Sequence, residues 1–411
     1  MDNVMTREIA VSKKRWCYLV VGSLGMLFVG VLYAWSILNV PFQEELGWGA
    51  EPLALNYTVT MSFFCLGSLA SGMLLKRITA RLLLSLSGLL ICMGFFLVSS
   101  LDSGSIVSLY LSYGVIAGLG IGIAYNALIS VTGAWFPDKG GTCSGTLMMC
   151  FGLSAMVLGQ AASRLFALPD IGWRRTFCLL GAAILAVLLV CALVLRKPGP
   201  DDQLPTPALR KEAEQEGERR EYRAAEVVRR PTFWMFYLYG TLGSSVGSVT
   251  ISFARELALS LGAGVALATA LVGVLSVFNG VGRVCCGVVF DMVGRKRTMF
   301  LVSVLTAVAP AVMLVALVTE TLSLGVVAFC LIGISYSCYP TLSVAFLSSF
   351  YGQQDFPINY SVSNTKMLLS SFAATLASVL LTASGSYIAP FLMLLGFAIT
   401  AFLLNFLIRK P

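Results

Sequence analysis

The sequence predicts an all-α membrane protein in which twelve transmembrane helices form two pseudo-symmetric six-helix bundles. Of its 411 residues, 57% are hydrophobic and only 12% are charged, a balance that a soluble chain of this length could not solvate. Apolar runs of roughly twenty residues, long enough to cross a hydrocarbon core of ~30 Å, recur about twelve times. One long hydrophilic stretch separates the first six runs from the last six.

The first apolar run begins at Trp16 and is long enough to be a retained span rather than a signal peptide. The hydrophilic stretch 198–230 is predicted to be a cytoplasmic linker between bundles 1–197 and 231–411. The predicted spans are 16–39, 53–75, 82–101, 105–134, 142–166 and 174–195, then 232–255, 264–289, 298–318, 322–349, 357–385 and 387–408.

The basic residues are distributed unevenly between alternate loops. The chain carries 28 Lys and Arg, and most precede the first span, follow even-numbered spans, or lie in the linker. Because cytoplasmic loops are enriched in Lys and Arg, both termini are predicted to be cytoplasmic. The net charge of +8 therefore indicates membrane orientation, and no nucleic-acid partner is expected.

The two halves resemble each other weakly at one constant offset. Gly72 and Gly287 are 215 residues apart, and Trp135-Phe136 and Phe350-Tyr351 have the same separation. Equal offsets indicate an internal duplication, an arrangement found in transporters whose substrate binds at the interface between repeats.

Two cations interrupt the predicted spans. Arg283 lies eight residues before Asp291, or about 12 Å from the loop that contains it. Lys366 lies nine residues after Pro357, or about 13–14 Å from the same membrane face. Both side chains are thus predicted near mid-membrane, where a charge is costly and indicates a functional site.

The predicted spans contain no acid that could pair with Arg283 or Lys366, since all 20 Asp and Glu fall in loops, tails or the linker. Two such cations require an anionic substrate or water in the cavity. An arginine suits a carboxylate because its planar fork donates two parallel hydrogen bonds. The alternative is that one of the cations pairs with a carbonyl at a helix C-terminus.

The composition argues against an enzyme and against a bound cofactor or metal. There is no histidine, and the 11 cysteines fall in apolar runs, as small buried hydrophobes do. No carboxylate pair or phosphate loop is present in the sequence. Aromatic residues that could line a cavity beside the cations are Tyr33, Trp35, Tyr125, Phe151, Tyr336, Tyr339 and Tyr360.

With these features the whole chain resembles the major facilitator superfamily. The most specific mark is Gly287-x-x-x-Asp291-x-x-Gly294-Arg295-Lys296, which is similar to that family's loop motif. The resemblance implies a gate at this loop, with Asp291 pairing with nearby arginines or with a helix end, and Arg295 as a member. In the first-half copy, Arg77 and Arg81 are the expected gating residues, and a lysine stands where the aspartate is expected.

Within that superfamily the chain resembles the oxalate:formate antiporters and related monocarboxylate transporters. The residues that carry this resemblance are Tyr33-Ala34-Trp35, Gly118-x-Gly120-x-Gly122-x-x-Tyr125, Trp135-Phe136-Pro137-Asp138-Lys139, Phe278-Asn279-Gly280 before Arg283, and Asn359-Tyr360 before Lys366. The resemblance implies that Arg283 and Lys366 bind a carboxylate, with Tyr33, Tyr125 and Tyr336 in the pocket.

The pocket wall departs from the antiporter pattern at two places. Phe151 stands where a tyrosine is expected, and Ser361, Ser363 and Asn364 replace aromatic residues. The resemblance therefore does not fix oxalate as the substrate.

We expect the protein to exchange small carboxylate anions, because the return of an empty carrier with two bare cations would be slow. We also expect it to be a monomer. Proton-coupled monocarboxylate symport is the alternative, and it would need Lys366 to titrate within the path.

Overall fold

A computed structural model of the chain describes residues 2–102, 104–199, 202, 204, 222–352 and 354–408. Within these residues every regular element is helical, which confirms the predicted all-α class. Most of the predicted linker, residues 205–221, lies outside the described residues.

Ten α-helices precede the linker. They are α1 Asp2–Val29, α2 Trp35–Leu38, α3 Val40–Glu44, α4 Ala50–Leu74, α5 Ala80–Ser99, α6 Ile106–Leu109, α7 Gly118–Gly133, α8 Gly140–Ser154, α9 Gln160–Phe166 and α10 Gly172–Val194. A short 3-10 turn, Gly30–Ala34, joins α1 to α2, and π-helical stretches at Tyr110–Ala117 and Ala155–Gly159 join α6 to α7 and α8 to α9.

Seven more α-helices follow in the described chain, the first of them within the predicted linker. They are α11 Ala224–Val227, α12 Pro231–Ser260, α13 Val265–Val318, α14 Leu322–Tyr351, α15 Phe356–Asn364, α16 Lys366–Ser384 and α17 Ile388–Leu407.

Ten helical stretches of the described chain are long and apolar enough to cross a membrane. The 49-residue stretch Ala270–Val318 covers most of the eighth predicted span and all of the ninth. The seventh predicted span lies within α12, whose many Gly, Ser and Thr residues make it less apolar than the others. These two differences account for ten stretches where the sequence predicts twelve spans.

The tight polar loop predicted between the eighth and ninth spans, residues 291–297, contains a sharp turn at Gly294 within α13. Two helices meet at this point, and the backbone of Gly294 lies outside the helical region, with φ 76° and ψ 176°. This backbone conformation favours glycine, because an L side chain there would clash with the backbone. A single residue therefore makes the turn between two spans.

The described chain separates into two compact units, and the boundaries between them do not coincide with the predicted linker. Unit 1 comprises Met1–Lys139, Cys150–Arg219 and Asp355–Val362. Unit 2 comprises Gly140–Met149, Arg220–Gln354 and Ser363–Pro411. Each unit thus includes a short segment from the other half of the sequence, and the predicted bundle boundaries 1–197 and 231–411 stay predictions.

Close helix packing in unit 1 depends on glycine. On α7, a Cβ at Gly122 would lie far inside contact distance of the Phe64 carbonyl oxygen of α4. A Cβ at Gly67 would collide in the same way with the carbonyl of Leu119. Small residues at such crossings let helix backbones approach closely in a membrane, where dispersion contacts replace the hydrophobic effect as the driving force.

Unit 2 has a continuous apolar core of its own. Phe329 on α14 and Phe391 and Leu394 on α17 are at most 2% exposed and belong to one cluster with Met313 of α13. The ring of Phe236 on α12 stacks on Phe346 with centroids 3.8 Å apart, which ties α12 to α14. This core positions the helices that carry both buried cations.

Substituting Gly122 with alanine is expected to lower the free energy of unfolding by about 1–3 kcal/mol, as overpacking of a close contact does. The matched control is Gly133→Ala on the same helix, where a Cβ meets nothing within 4 Å. Thermal unfolding of both variants in the same detergent measures the difference. Equal melting temperatures for the two variants would contradict the packing argument.

Candidate functional site

The guanidinium of Arg283 is held against a helix backbone. Arg283 lies on α13, is 2% exposed, and its Nη1 donates a hydrogen bond of 2.5 Å to the carbonyl oxygen of Met148 on α8. Gly145 permits this approach, because a Cβ there would lie 2.5 Å from the Arg283 carbonyl oxygen. The acceptor is a carbonyl, as in the alternative stated above, but it lies in the body of a helix.

Hydroxyl groups surround the ammonium of Lys366 at the start of α16. Lys366 is 2% exposed, and its Nζ donates to Ser343 Oγ and, at 3.4 Å, to Ser363 Oγ. The same Nζ lies 5.4 Å from the ring centroid of Phe236. Gly240 leaves room for the lysine stem, since a Cβ there would be 2.9 Å from Lys366 Cδ.

Neither cation has a carboxylate partner among the described residues. Among the residues that the structure describes, every ion pair involves other groups. The Nε of Arg283 is buried with no hydrogen-bond partner in the described chain. Two buried positive groups are thus stabilised by neutral dipoles and one aromatic ring, which leaves their charge available to an anion.

One turn of α14 contacts both of the segments that carry the buried cations. Thr341 Oγ1 donates to the backbone carbonyl of Arg283 at 3.5 Å, and Ser343, two residues further, accepts from Lys366. Two residues correspond to about 3 Å along a helix axis, so both cation-bearing segments meet α14 at nearly one level. Thr341 and Ser343 face different sides of α14, and the described contacts give the two head groups no shared partner.

Four of the predicted pocket aromatics come together in unit 1. Phe151 makes edge-on contacts with Tyr33 and Tyr125, with centroids 5.2 Å and 4.9 Å apart. The hydroxyls of Tyr125 and Tyr360 are 2.9 Å apart, and Phe64 packs on Tyr125 at 5.1 Å. The sequence analysis did not identify Phe64 as a member of this cluster, because a single phenylalanine in an apolar span is typical of a packing residue.

Tyr336 belongs to unit 2 rather than to this aromatic cluster. Its ring lies over Gly247 of α12, where a Cβ would collide with it. The glycine thus makes the space that the tyrosine ring occupies.

The carboxylate of Asp291 contacts the first turn of α8. Its oxygens accept from the backbone amides of Gly141 and Thr142 at 3.0 and 2.7 Å, and from Thr142 Oγ1 at 2.6 Å. An anion at this position satisfies free amides and interacts favourably with the positive end of the helix dipole. The resemblance implies that Asp291 pairs with arginines or with a helix end, and the described hydrogen bonds join it to a helix end.

The three arginines that are predicted to take part in gating make other contacts than Asp291 does. The Arg295 guanidinium lies 4.3 Å from the centroid of Phe350, and its Nη1 donates to the Ile408 carbonyl at 3.5 Å. Arg81 Nε donates to the Ala192 carbonyl at 3.3 Å, and Arg77 is exposed. Their gating roles stay predictions.

Sequence reasoning missed the groups that contact the cations. A carbonyl such as that of Met148 has no sequence signature, since every residue carries one. Ser343 is one of several serines on α14, and nothing in the sequence distinguishes it from Ser335 or Ser337.

Comparison with known proteins gives both a family and a set of relatives. Residues 16–375 match the family model described as the Major Facilitator Superfamily. The MFS-type transporter YhjX of Escherichia coli strain K12 is 27% identical over 354 residues, covering 85% of this chain and 84% of that protein. The oxalate:formate antiporter of Oxalobacter formigenes is 25% identical over 406 residues, covering 94% and 90%. Human monocarboxylate transporter 2 is 25% identical over 190 residues, covering 45% and 38%.

Solved structures show the same fold. The chain is similar to the proton:xylose symporter XylE bound to 6-bromo-6-deoxy-D-glucose, with a TM-score of 0.77 and 97% of both chains covered. At 16% sequence identity this likeness concerns the fold alone.

Substituting Ser343 with alanine is expected to lower the free energy of unfolding by about 1.5–3 kcal/mol, the range for hydrogen bonds to charged groups. Ser335→Ala is the matched control, because Ser335 is buried on the same helix and its hydroxyl donates to the Ile332 carbonyl. Thermal unfolding in detergent compares the two variants. Equal losses would show that the lysine contact carries no special weight.

Proposed function

Because the chain belongs to the Major Facilitator Superfamily, we propose that it is a secondary transporter of small carboxylate anions that works by anion exchange across the bacterial cytoplasmic membrane. Arg283 and Lys366 are the proposed substrate-binding residues. The observation that carries this proposal is that both are 2% exposed and form no ion pair among the described residues. The likeness to the oxalate:formate antiporter over 94% of the chain supports the same substrate class.

The chemistry of the two cations suits a carboxylate. Arg283 uses one nitrogen on Met148, and its buried Nε has no described partner, so donors remain for a carboxylate oxygen. Lys366 has three donors, of which the described hydroxyls take two. A carboxylate that reaches either group gains a charge-assisted hydrogen bond that neutral solutes cannot match.

Exchange follows from the cost of an empty site. During the return step of an unloaded carrier, two cations would face a closing cavity with only carbonyl and hydroxyl oxygens nearby. The penalty for an unneutralised buried charge is several kcal/mol, which slows that step by orders of magnitude. A bound anion removes the penalty, so that loaded carriers change conformation and empty ones do not.

Replacing Arg283 with lysine or with alanine is expected to reduce counterflow of the transported carboxylate at least about a hundredfold, because a lysine cannot form the bidentate pair. The measurement is counterflow in proteoliposomes with oxalate, formate, lactate, succinate and malonate. Arg297→Ala on the same helix is the matched control, since Arg297 is exposed. Wild-type counterflow in both Arg283 variants would remove this residue from the site.

Uptake by the wild-type protein is expected to be at least about tenfold faster into vesicles preloaded with carboxylate than into anion-free vesicles, because the empty carrier returns slowly. The comparison uses one radiolabelled carboxylate with and without an imposed pH gradient. If a pH gradient drives uptake into anion-free vesicles at the rate of exchange, the transporter is a proton-coupled symporter instead.

A further inference from the structure

A second charged contact lies at the end of α4. Lys76 Nζ is 2.6 Å from the carboxylate of Asp355, the residue that immediately precedes α15. The Asp355 side chain is 7% exposed, whereas that of Lys76 is 45% exposed. Asp355 therefore has little access to water, and an ammonium group beside it offsets the cost of its burial.

This contact and the Asp291 contact occupy equivalent places in the two halves of the sequence. The offset of 215 residues that relates Gly72 to Gly287 also relates Lys76 to Asp291. On the opposite side of each contact, the same offset relates Gly140 to Asp355 and Thr142 to Pro357. We call the pairing of Asp291 with Gly141 and Thr142 the Asp291 latch, and the pairing of Lys76 with Asp355 the Lys76 latch.

The backbone geometry beside the two latches is also equivalent. A Cβ at Gly287 would collide with the Gly141 carbonyl and approach the Thr142 nitrogen. A Cβ at Gly72 would lie 2.6 Å from the Pro357 carbonyl oxygen and 3.0 Å from Ile358 Cα. In each case a glycine in the last turn before the loop allows contact with the first turn of another helix.

Pro357 explains why the charges are reversed in the first half. Thr142 donates two of the described hydrogen bonds to Asp291, one from its amide and one from its hydroxyl. Its counterpart Pro357 has neither an N–H nor a hydroxyl. A carboxylate at position 76 would therefore lose two donors, whereas an acid at position 355 interacts favourably with the α15 N-terminus and accepts a lysine.

We propose that the Lys76 latch is the charge-reversed counterpart of the Asp291 latch, and that both must open and re-form in each transport cycle at the face predicted to be cytoplasmic. Lys76 and Asp355 thereby become gating residues, in the place that the motif gave to Arg77 and Arg81. The cyclic opening rests on the proposed transport function, and the reversed pairing stands on the contacts alone.

Amide hydrogen exchange of the full-length protein in lipid nanodiscs tests the pairing. Lys76→Asp places two carboxylates together and is expected to speed exchange in the first turns of α15 at least about tenfold, because it replaces the ammonium beside a buried carboxylate with a like charge. Lys76→Asp with Asp355→Lys is expected to restore protection to within about threefold. The Gly140–Met149 amides under Asp291 serve as the internal control and should not change. No restoration by the exchanged pair would overturn the proposal.

The role of Pro357 has its own test. Lys76→Asp with Asp355→Gly recreates the residues of the Asp291 latch but leaves the proline, so protection of α15 is expected to remain low. Adding Pro357→Thr supplies the missing amide and hydroxyl and is expected to raise protection by about tenfold, as regained hydrogen bonds to a charged group do. Equal protection in the double and triple variants would show that the proline does not determine the charge reversal.

Carboxylate transport measured on the same variants shows whether the Lys76–Asp355 pairing also affects the transport cycle. The single charge reversal is expected to slow exchange, and the exchanged pair is expected to recover it. Exchange that is indifferent to every variant would overturn the gating role while leaving the proposed function intact. A wild-type protein that moves no carboxylate would remove the proposed function, and the amide data would still decide the pairing.

Discussion

Removing a charged side chain from water costs several kcal/mol unless an opposite charge or a set of dipoles replaces the lost hydration. Arg283 and Lys366 meet this constraint with a carbonyl, two hydroxyls and a phenylalanine ring. These groups lower the cost of burial without cancelling the charge. An unloaded dry site therefore stays costly, and its cations attract an anion more strongly than acid-paired cations would.

The small residues of the packed helices make this arrangement possible. Gly145 lets α13 approach α8 closely enough for Arg283 to reach a backbone carbonyl. Gly240 leaves the space that the Lys366 stem fills. A glycine in a transmembrane helix usually indicates close helix packing, and here two of them also determine where charges can lie. Packing and electrostatics are therefore not separable in this unit.

Much of the fold could be predicted because it depends on local patterns. Apolar runs of membrane length indicated the spans, and two cations inside them indicated a candidate site. The contacts between distant segments could not be predicted, since Arg283 and Met148 are 135 residues apart and Tyr125 and Tyr360 are 235 apart.

The choice of neutral partners for the cations has a mechanistic consequence. A carboxylate side chain beside Arg283 would compete with every substrate, and the site would then release an anion without needing another. A carbonyl such as that of Met148 competes weakly, because it carries a dipole rather than a charge. The same weak compensation leaves an empty site too costly to close quickly. In the proposed exchange mechanism, selectivity for anions and coupling of influx to efflux have one physical origin, the absence of a fixed counterion among the described neighbours of Arg283 and Lys366.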